Sequence, residues 1–135
     1  MDQTSDTSSL VKGPQPGPTI LIVEDEPLML RLLLKFFSRH GYHVLEASDG
    51  EQAMEVYRRQ KLEIDVVLLD RRLPRSTGDQ VFQLMKAENA GVKVVMASGY
   101  LEPEVKAELA RAGVRQFVSK PYSLKELLTV FERLL

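Results

Sequence analysis

The chain has 135 residues, 44% of them apolar and 27% charged, and a formal net charge of −1. That is enough for one domain with its own core, and so even a charge balance offers no bulk attraction to nucleic acid or to an anionic membrane. There is no cysteine, which excludes disulfides, thiolate metal sites and cysteine nucleophiles. No apolar run approaches the ~20 residues of a membrane span, and the N-terminus lacks a secretory pattern. Neither direct nucleic-acid binding nor membrane insertion is expected, and the expected location is cytoplasmic.

Residues 1–18, MDQTSDTSSLVKGPQPGP, are rich first in Ser and Thr and then in Pro and Gly. Such a stretch buries too little apolar surface to offset its ordering entropy, so it reads as a flexible tail or linker. The domain proper is expected over 19–135. Residues 19–23 (TILIV) form a β-branched run of the kind buried on both faces of a parallel sheet. Residues 28–37 are nearly all apolar, but Arg31, Lys35 and Arg39 recur every four residues, which predicts a helix with one wet stripe ended by Gly41. A second strand is expected over 43–46. Ser48 to Glu51 reads as a capping box before a helix that presents Ala53, Val56 and Tyr57. A third strand follows over 64–69, then a helix whose apolar face is Val81, Phe82, Leu84 and Met85. A fourth strand spans 92–97. Pro103 suits the first turn of a helix that runs to about Arg111 and stops at Gly113. The fifth strand covers 115–118, and Ser123 to Glu126 forms a second capping box. Leu124, Leu127, Leu128, Phe131, Leu134 and Leu135 then recur at helical spacing.

Five strands alternating with five helices specify an α/β fold, an open parallel sheet with helices on both faces. Sites in such folds form beyond the carboxyl ends of the strands. Glu24, Asp25 and Glu26 follow the first strand, Asp70 the third, Ser98 the fourth and Lys120 the fifth. If the sheet runs in the order 2-1-3-4-5, these groups converge at one edge. Two carboxylates ~4 Å apart repel by about 4 kcal/mol at an effective dielectric near 20. A divalent, oxygen-seeking cation removes that cost. Mg²⁺ suits the cluster, since it needs only one or two carboxylates; the lack of His and Cys there argues against zinc. Asp70 would be a nucleophile forming an acyl phosphate, with Mg²⁺ and Lys120 balancing charge on the transferring oxygens and Ser98 hydrogen-bonding one of them. Taken singly, each residue has a plainer reading as a helix cap or wet loop residue. Glu26 in particular reads as a helix starter before Pro27.

The motifs IVEDEP at 22–27, LLDRRLPRSTG at 68–78, MASGY at 96–100 and FVSKP at 117–121 resemble those of the receiver domain of two-component response regulators, over residues 19–135. The resemblance implies a flavodoxin-like fold with strand order 2-1-3-4-5. It implies that Asp25, Asp70 and the backbone carbonyl of Arg72 ligate Mg²⁺, with Glu24 acting through a metal-bound water. Asp70 would be the phosphoacceptor, Lys120 would hold a phosphoryl oxygen, and Ser98 and Phe117 would be the switch pair that reshapes the face of helix four, strand five and helix five. A cis Lys120–Pro121 bond is also implied. The positions that influence phosphoryl lifetime in the family hold Arg72 and Tyr100 here. Arg71 and Arg72 stand where apolar residues are more usual, and Ser98 where Thr is.

The expected function is a signalling switch rather than a turnover enzyme. Its partners would be a sensor histidine kinase or phosphotransfer protein and a downstream protein. His40 and His43 lie away from the expected site and are poor phosphoryl donors. A Mg²⁺-dependent phosphatase with an aspartyl nucleophile is the rival, but it would carry a second Asp where Arg72 stands. A degenerate receiver that only binds partners is the other. The Pro-rich stretch at 13–18 and SGYLEP at 98–103 resemble the C-terminal receivers of hybrid histidine kinases; a stand-alone receiver is the alternative arrangement. The apolar first helix leaves a weak homodimer open.

Overall fold

The computed structural model describes residues 17–135; the first sixteen residues of the expected tail lie outside that range. The elements are β1 Thr19–Val23, α1 Pro27–Arg39, β2 His43–Ala47, α2 Gly50–Gln60, β3 Val66–Asp70, α3 Gly78–Glu88, β4 Val94–Ser98, α4 Pro103–Ala112, β5 Gln116–Ser119 and α5 Leu124–Leu134. All strand pairs are parallel and the sheet order is β2-β1-β3-β4-β5. This is the flavodoxin-like arrangement expected.

Period-two alternation along the central strands divides the interior in two. Leu21, Val23, Val67, Leu69, Val94 and Met96 point to the face covered by α2, α3 and α4. Ile20, Ile22, Val66, Leu68, Val95 and Ala97 point to the face covered by α1 and α5. Because both faces are covered, every residue of β1 and β3 is buried, which is why these strands read as continuous apolar runs. On the second face Phe37 packs against Phe131 with ring centroids 5.1 Å apart.

Strand ends differ from the expected ones in a consistent direction. Asp70 and Ser98 are the last residues of β3 and β4, not the first residues after them. Asp70 pairs with Ala97 and Ser98 with Ser119 in the ladder. Conversely Ile64 and Val92 precede their strands; their amides donate to the carbonyls of Gln60 and Asn89. An apolar run reports burial, whereas a strand boundary is set by which backbone groups meet a neighbour.

Two helix starts differ from the expected caps. The N-cap of α2 is Asp49, whose carboxylate accepts from the Gln52 amide at 2.8 Å, while the Ser48 amide donates to the Gln52 side chain. The motif therefore sits one residue later than Ser48–Glu51, because a carboxylate is the better acceptor at a positive helix N-terminus. A complete capping box joins Thr77 and Gln80 at the start of α3, a T-x-x-Q pattern that the sequence displays. Ser123 caps α5, accepting from the Glu126 amide at 3.0 Å, but among the described residues the Glu126 side chain does not return to the Ser123 amide, so only half of the expected box forms. Gly41 and Gly113 follow α1 and α4 with φ of +88° and +120°, where a side chain would be strained.

Two leucines expected at apolar helix faces are exposed, Leu84 on the outer side of α3 and Leu135 just beyond the end of α5; Leu28 and Leu32, within the apolar run of α1, are exposed as well. The apolar periodicity there was wider than the stripe that the sheet covers, and only Leu33 and Phe37 of α1 are fully buried.

Candidate functional site

The order β2-β1-β3 means the chain leaves β1 to one side and returns on the other, so a crevice opens between the carboxyl ends of β1 and β3. Glu24 follows β1 directly and Asp70 ends β3; both are almost wholly buried, at 3% and 4% exposure. Asp25 is exposed at the mouth. One carboxylate oxygen from each of Glu24, Asp25 and Asp70 lies within 4.8 Å of the others.

Lys120, immediately after β5, reaches across β4's end into this cluster. Its ammonium donates to Asp70 Oδ2 at 2.8 Å and to Glu24 Oε1 at 3.2 Å. The other oxygens are also engaged: the Arg72 amide donates to Asp70 Oδ1 at 3.1 Å and the Glu26 amide to Glu24 Oε2 at 3.2 Å. Burial pushes the Glu24 carboxyl above its ordinary range, against the Glu26 amide and the Lys120 charge. Burial alone would lower the Lys120 ammonium, but its hydrogen bond to Asp70 and the charges of Asp70 and Glu24 outweigh this and hold it above the usual value. Lys120 therefore stays a cation throughout the physiological range. The Lys120–Pro121 bond is cis.

Two buried acids, an exposed acid and one ammonium leave a formal charge of −2 in a small volume. All donors are hard oxygens, which fits Mg²⁺ and not a metal that prefers nitrogen or sulfur.

The remaining candidates are arranged around this centre. Ser98, Arg72 and Tyr100 line the same cleft as Glu24, Asp25, Asp70 and Lys120. The Ser98 hydroxyl donates to the Tyr100 carbonyl at 3.1 Å, and Tyr100 is 76% exposed at the rim. Phe117 is not in the cleft. It is half-buried on β5, packs against the α2–α3–α4 side of the core, and carries the Lys106 ammonium 5.4 Å from its ring centre.

Sequence reasoning overlooked Tyr122, which follows the cis proline. Its hydroxyl is buried with no hydrogen-bond partner among the described residues. Burial and the nearby Glu24 charge push its phenol up to about 12. An orphaned buried hydroxyl costs its desolvation, so Tyr122→Phe should leave thermal stability unchanged or raise it by about 1 kcal/mol at neutral pH. The sign of the pH dependence follows from the raised value. From its ordinary value of 10.0 up to about 12, the folded phenol keeps a proton that the unfolded chain releases. Wild-type stability then falls through that window, and the gap to Tyr122→Phe should widen there in chemical denaturation series. A gap independent of pH would refute it.

The chain matches the family model for the response regulator receiver domain over residues 20–132. It is 32% identical over 117 residues to the probable transcriptional regulatory protein TcrX of Mycobacterium tuberculosis, covering 87% of this chain and 49% of that protein. It is 29% identical over 108 residues to sporulation initiation phosphotransferase F of Bacillus subtilis, covering 80% of this chain and 86% of that protein. Among solved structures, the response regulator protein TrrA of Thermotoga maritima, in complex with Mg²⁺ and BeF, superposes with a TM-score of 0.77 at 25% identity, covering 88% of this chain and all of that one. Several curated relatives are longer, and the chain spans only 28%, 49% and 25% of three of them. A five-stranded parallel sheet in the order 2-1-3-4-5 with acids at its switch point defines a class, the two-component receiver; the chain belongs to the response regulator receiver domain family. Among the described residues no helix is long and apolar enough to cross a membrane.

Proposed function

We propose that Asp70 is the phosphoacceptor of a Mg²⁺-dependent signalling switch. The observation that carries this is the Lys120 ammonium seated between the buried carboxylates of Asp70 and Glu24, with Asp25 at the mouth. A domain with no use for three clustered acids would not bury two of them against one ammonium, since desolvation of each costs several kcal/mol (about that order per ion).

In this reading an Asp70 carboxylate oxygen attacks the phosphorus of a partner's phosphohistidine. The P–N bond breaks and the imidazole leaves with the bonding pair, taking up a proton. Asp25, Asp70 and the Arg72 carbonyl would hold the Mg²⁺, with Glu24 acting through a water. The ion supplies charge neutralisation on the phosphoryl oxygens. Lys120 exchanges its Asp70 contact for a phosphoryl oxygen, and Ser98 exchanges the Tyr100 carbonyl for another. Withdrawal of Ser98 from the β4–α4 loop frees that loop to move, and Phe117 turns inward from beneath Lys106. The surface of α4, β5 and α5 is then read by a downstream protein. This is a two-state equilibrium biased by the phosphoryl group. Arg72 and Tyr100, at the rim, set water access and so the lifetime of the aspartyl phosphate. The kinase or phosphotransfer partner is part of the same reading, as is the cytoplasmic setting.

The test is a Mg²⁺ titration followed by beryllofluoride, monitored by ¹⁵N NMR. Shifts at Asp25, Asp70, Ser98 and Phe117 are expected, with larger changes at Phe117 in the second step. A spectrum indifferent to both additions would favour a degenerate receiver. Steady release of inorganic phosphate from small phosphomonoesters would favour the phosphatase instead.

A further inference from the structure

Arg71 directly follows the proposed phosphoacceptor and lines the same cleft as Asp25, Asp70 and Lys120. A second, unbound cation at that position would compete for the acidic cluster. It does not lie in the cluster. Its guanidinium is turned onto Asp79 in the first turn of α3, Nε donating to Oδ1 at 2.9 Å and an Nη to Oδ2 at 3.1 Å. The two side chains are about a third exposed or less, at 33% and 28%. This is the forked, two-bond geometry in which the planar guanidinium matches a carboxylate. Asp79 is itself well placed to hold a cation without drifting, because it sits over a helix N-terminus closed by the Thr77–Gln80 capping box and is favoured by the helix dipole.

We infer that Asp79 is a positioning residue that holds the Arg71 guanidinium away from the carboxylates of the cleft, leaving Asp25 and Asp70 free for Mg²⁺. The inference rests on the Mg²⁺ site proposed above. Release of Arg71 would let its positive charge approach the bound ion; at roughly 8 Å from a divalent ion, and with an effective dielectric close to that of water, that repulsion weakens binding roughly fivefold to tenfold. A purely structural role for the pair makes a different prediction: loss of either partner would be equally harmful, and loss of both no better.

The double-mutant cycle separates these. Mg²⁺ affinity is read by ¹⁵N NMR titration of metal-free protein for wild type, Arg71→Ala, Asp79→Ala and the double variant, with the thermal midpoint in chelator as a parallel readout. Asp79→Ala should weaken Mg²⁺ binding roughly fivefold to tenfold by the charge argument above, Arg71→Ala should stay within about twofold of wild type, and the double variant should return to the Arg71→Ala value. If Asp79→Ala does not fold, Asp79→Asn carries the same test. An Asp79 variant that binds like wild type, or a double variant as weak as Asp79→Ala, overturns the inference. A wild-type protein with no saturable Mg²⁺ response overturns the metal site itself, and the inference with it.

Discussion

Replacing Asp70 by asparagine should abolish phosphoryl incorporation from a small-molecule donor such as acetyl phosphate, to the background of a no-protein control. The carboxamide has no anionic oxygen to attack phosphorus, and none of the flanking acids stands in the same place. Asp25 is exposed at the mouth, and Glu24 is held by both Lys120 and the Glu26 amide. The effect on stability should be small by contrast. Removing one partner of a buried ion pair usually costs about 3–5 kcal/mol because the other charge is left unpaired. Here Lys120 retains Glu24 at 3.2 Å, and the like-charge repulsion between Asp70 and Glu24 disappears. Metal-free Asp70→Asn should therefore unfold within about 1 kcal/mol of wild type. Acid-labile phosphate that persists on the variant would show that another residue is the acceptor. A collapse of stability would show that Lys120 depends on Asp70 alone.

Gly78→Ala should be the most disruptive small substitution near the site. A Cβ on Gly78 would stand 2.5 Å from the Asp70 carbonyl oxygen, 2.8 Å from the Arg71 Cα and 3.1 Å from the Asp70 carbonyl carbon. All three are backbone atoms of the strand end that carries the proposed phosphoacceptor, so no side-chain rotation relieves the contact. The Gly78 amide also donates to the Arg71 carbonyl at 2.8 Å, which pins the helix start against that strand. Either the start of α3 retreats or Asp70 moves. Overpacking of this kind costs typically 1–3 kcal/mol, and a purely backbone clash belongs at the top of that range, about 3 kcal/mol. For a domain of this length the thermal midpoint should fall by about 10 °C. Mg²⁺ affinity should fall with it, because a shifted Asp70 no longer meets Asp25 and Glu24. A variant melting within ~2 °C of wild type and binding Mg²⁺ normally would mean that the β3–α3 loop is far softer than its contacts imply.

Asp70 was readable as a residue type at a strand end, whereas the reason for Gly78 was not. In the sequence Gly78 is one of eight glycines, eight positions beyond an aspartate. Only the closeness of α3's first turn to the end of β3 explains why no side chain fits.

The chain by itself determined the elements, their order and the parallel α/β class. Those depend on local signals: β-branched runs, helical spacing, Pro103 and Ser123 at helix starts, Gly41 and Gly113 at helix ends. It also determined which residue types stand at the carboxyl ends of the strands, and so where a site would form. Tertiary structure alone decided the pairings. Lys120 meets Glu24 across 96 positions and Asp70 across 50, and nothing in a local pattern chooses between those partners or joins them. The same holds for the Ser98 hydroxyl turned onto the Tyr100 carbonyl, for Phe117 lying under Lys106 rather than in the cleft, and for Arg71 folded back onto Asp79. Leu28, Leu32 and Leu84 carry the same lesson for the core: hydrophobic period reports which side of a helix is apolar, while how much of that side is covered depends on where the sheet ends. A side chain's identity is a property of the chain; its hydrogen-bond partner is a property of the fold, because partners distant in sequence become neighbours only when the strands are set side by side.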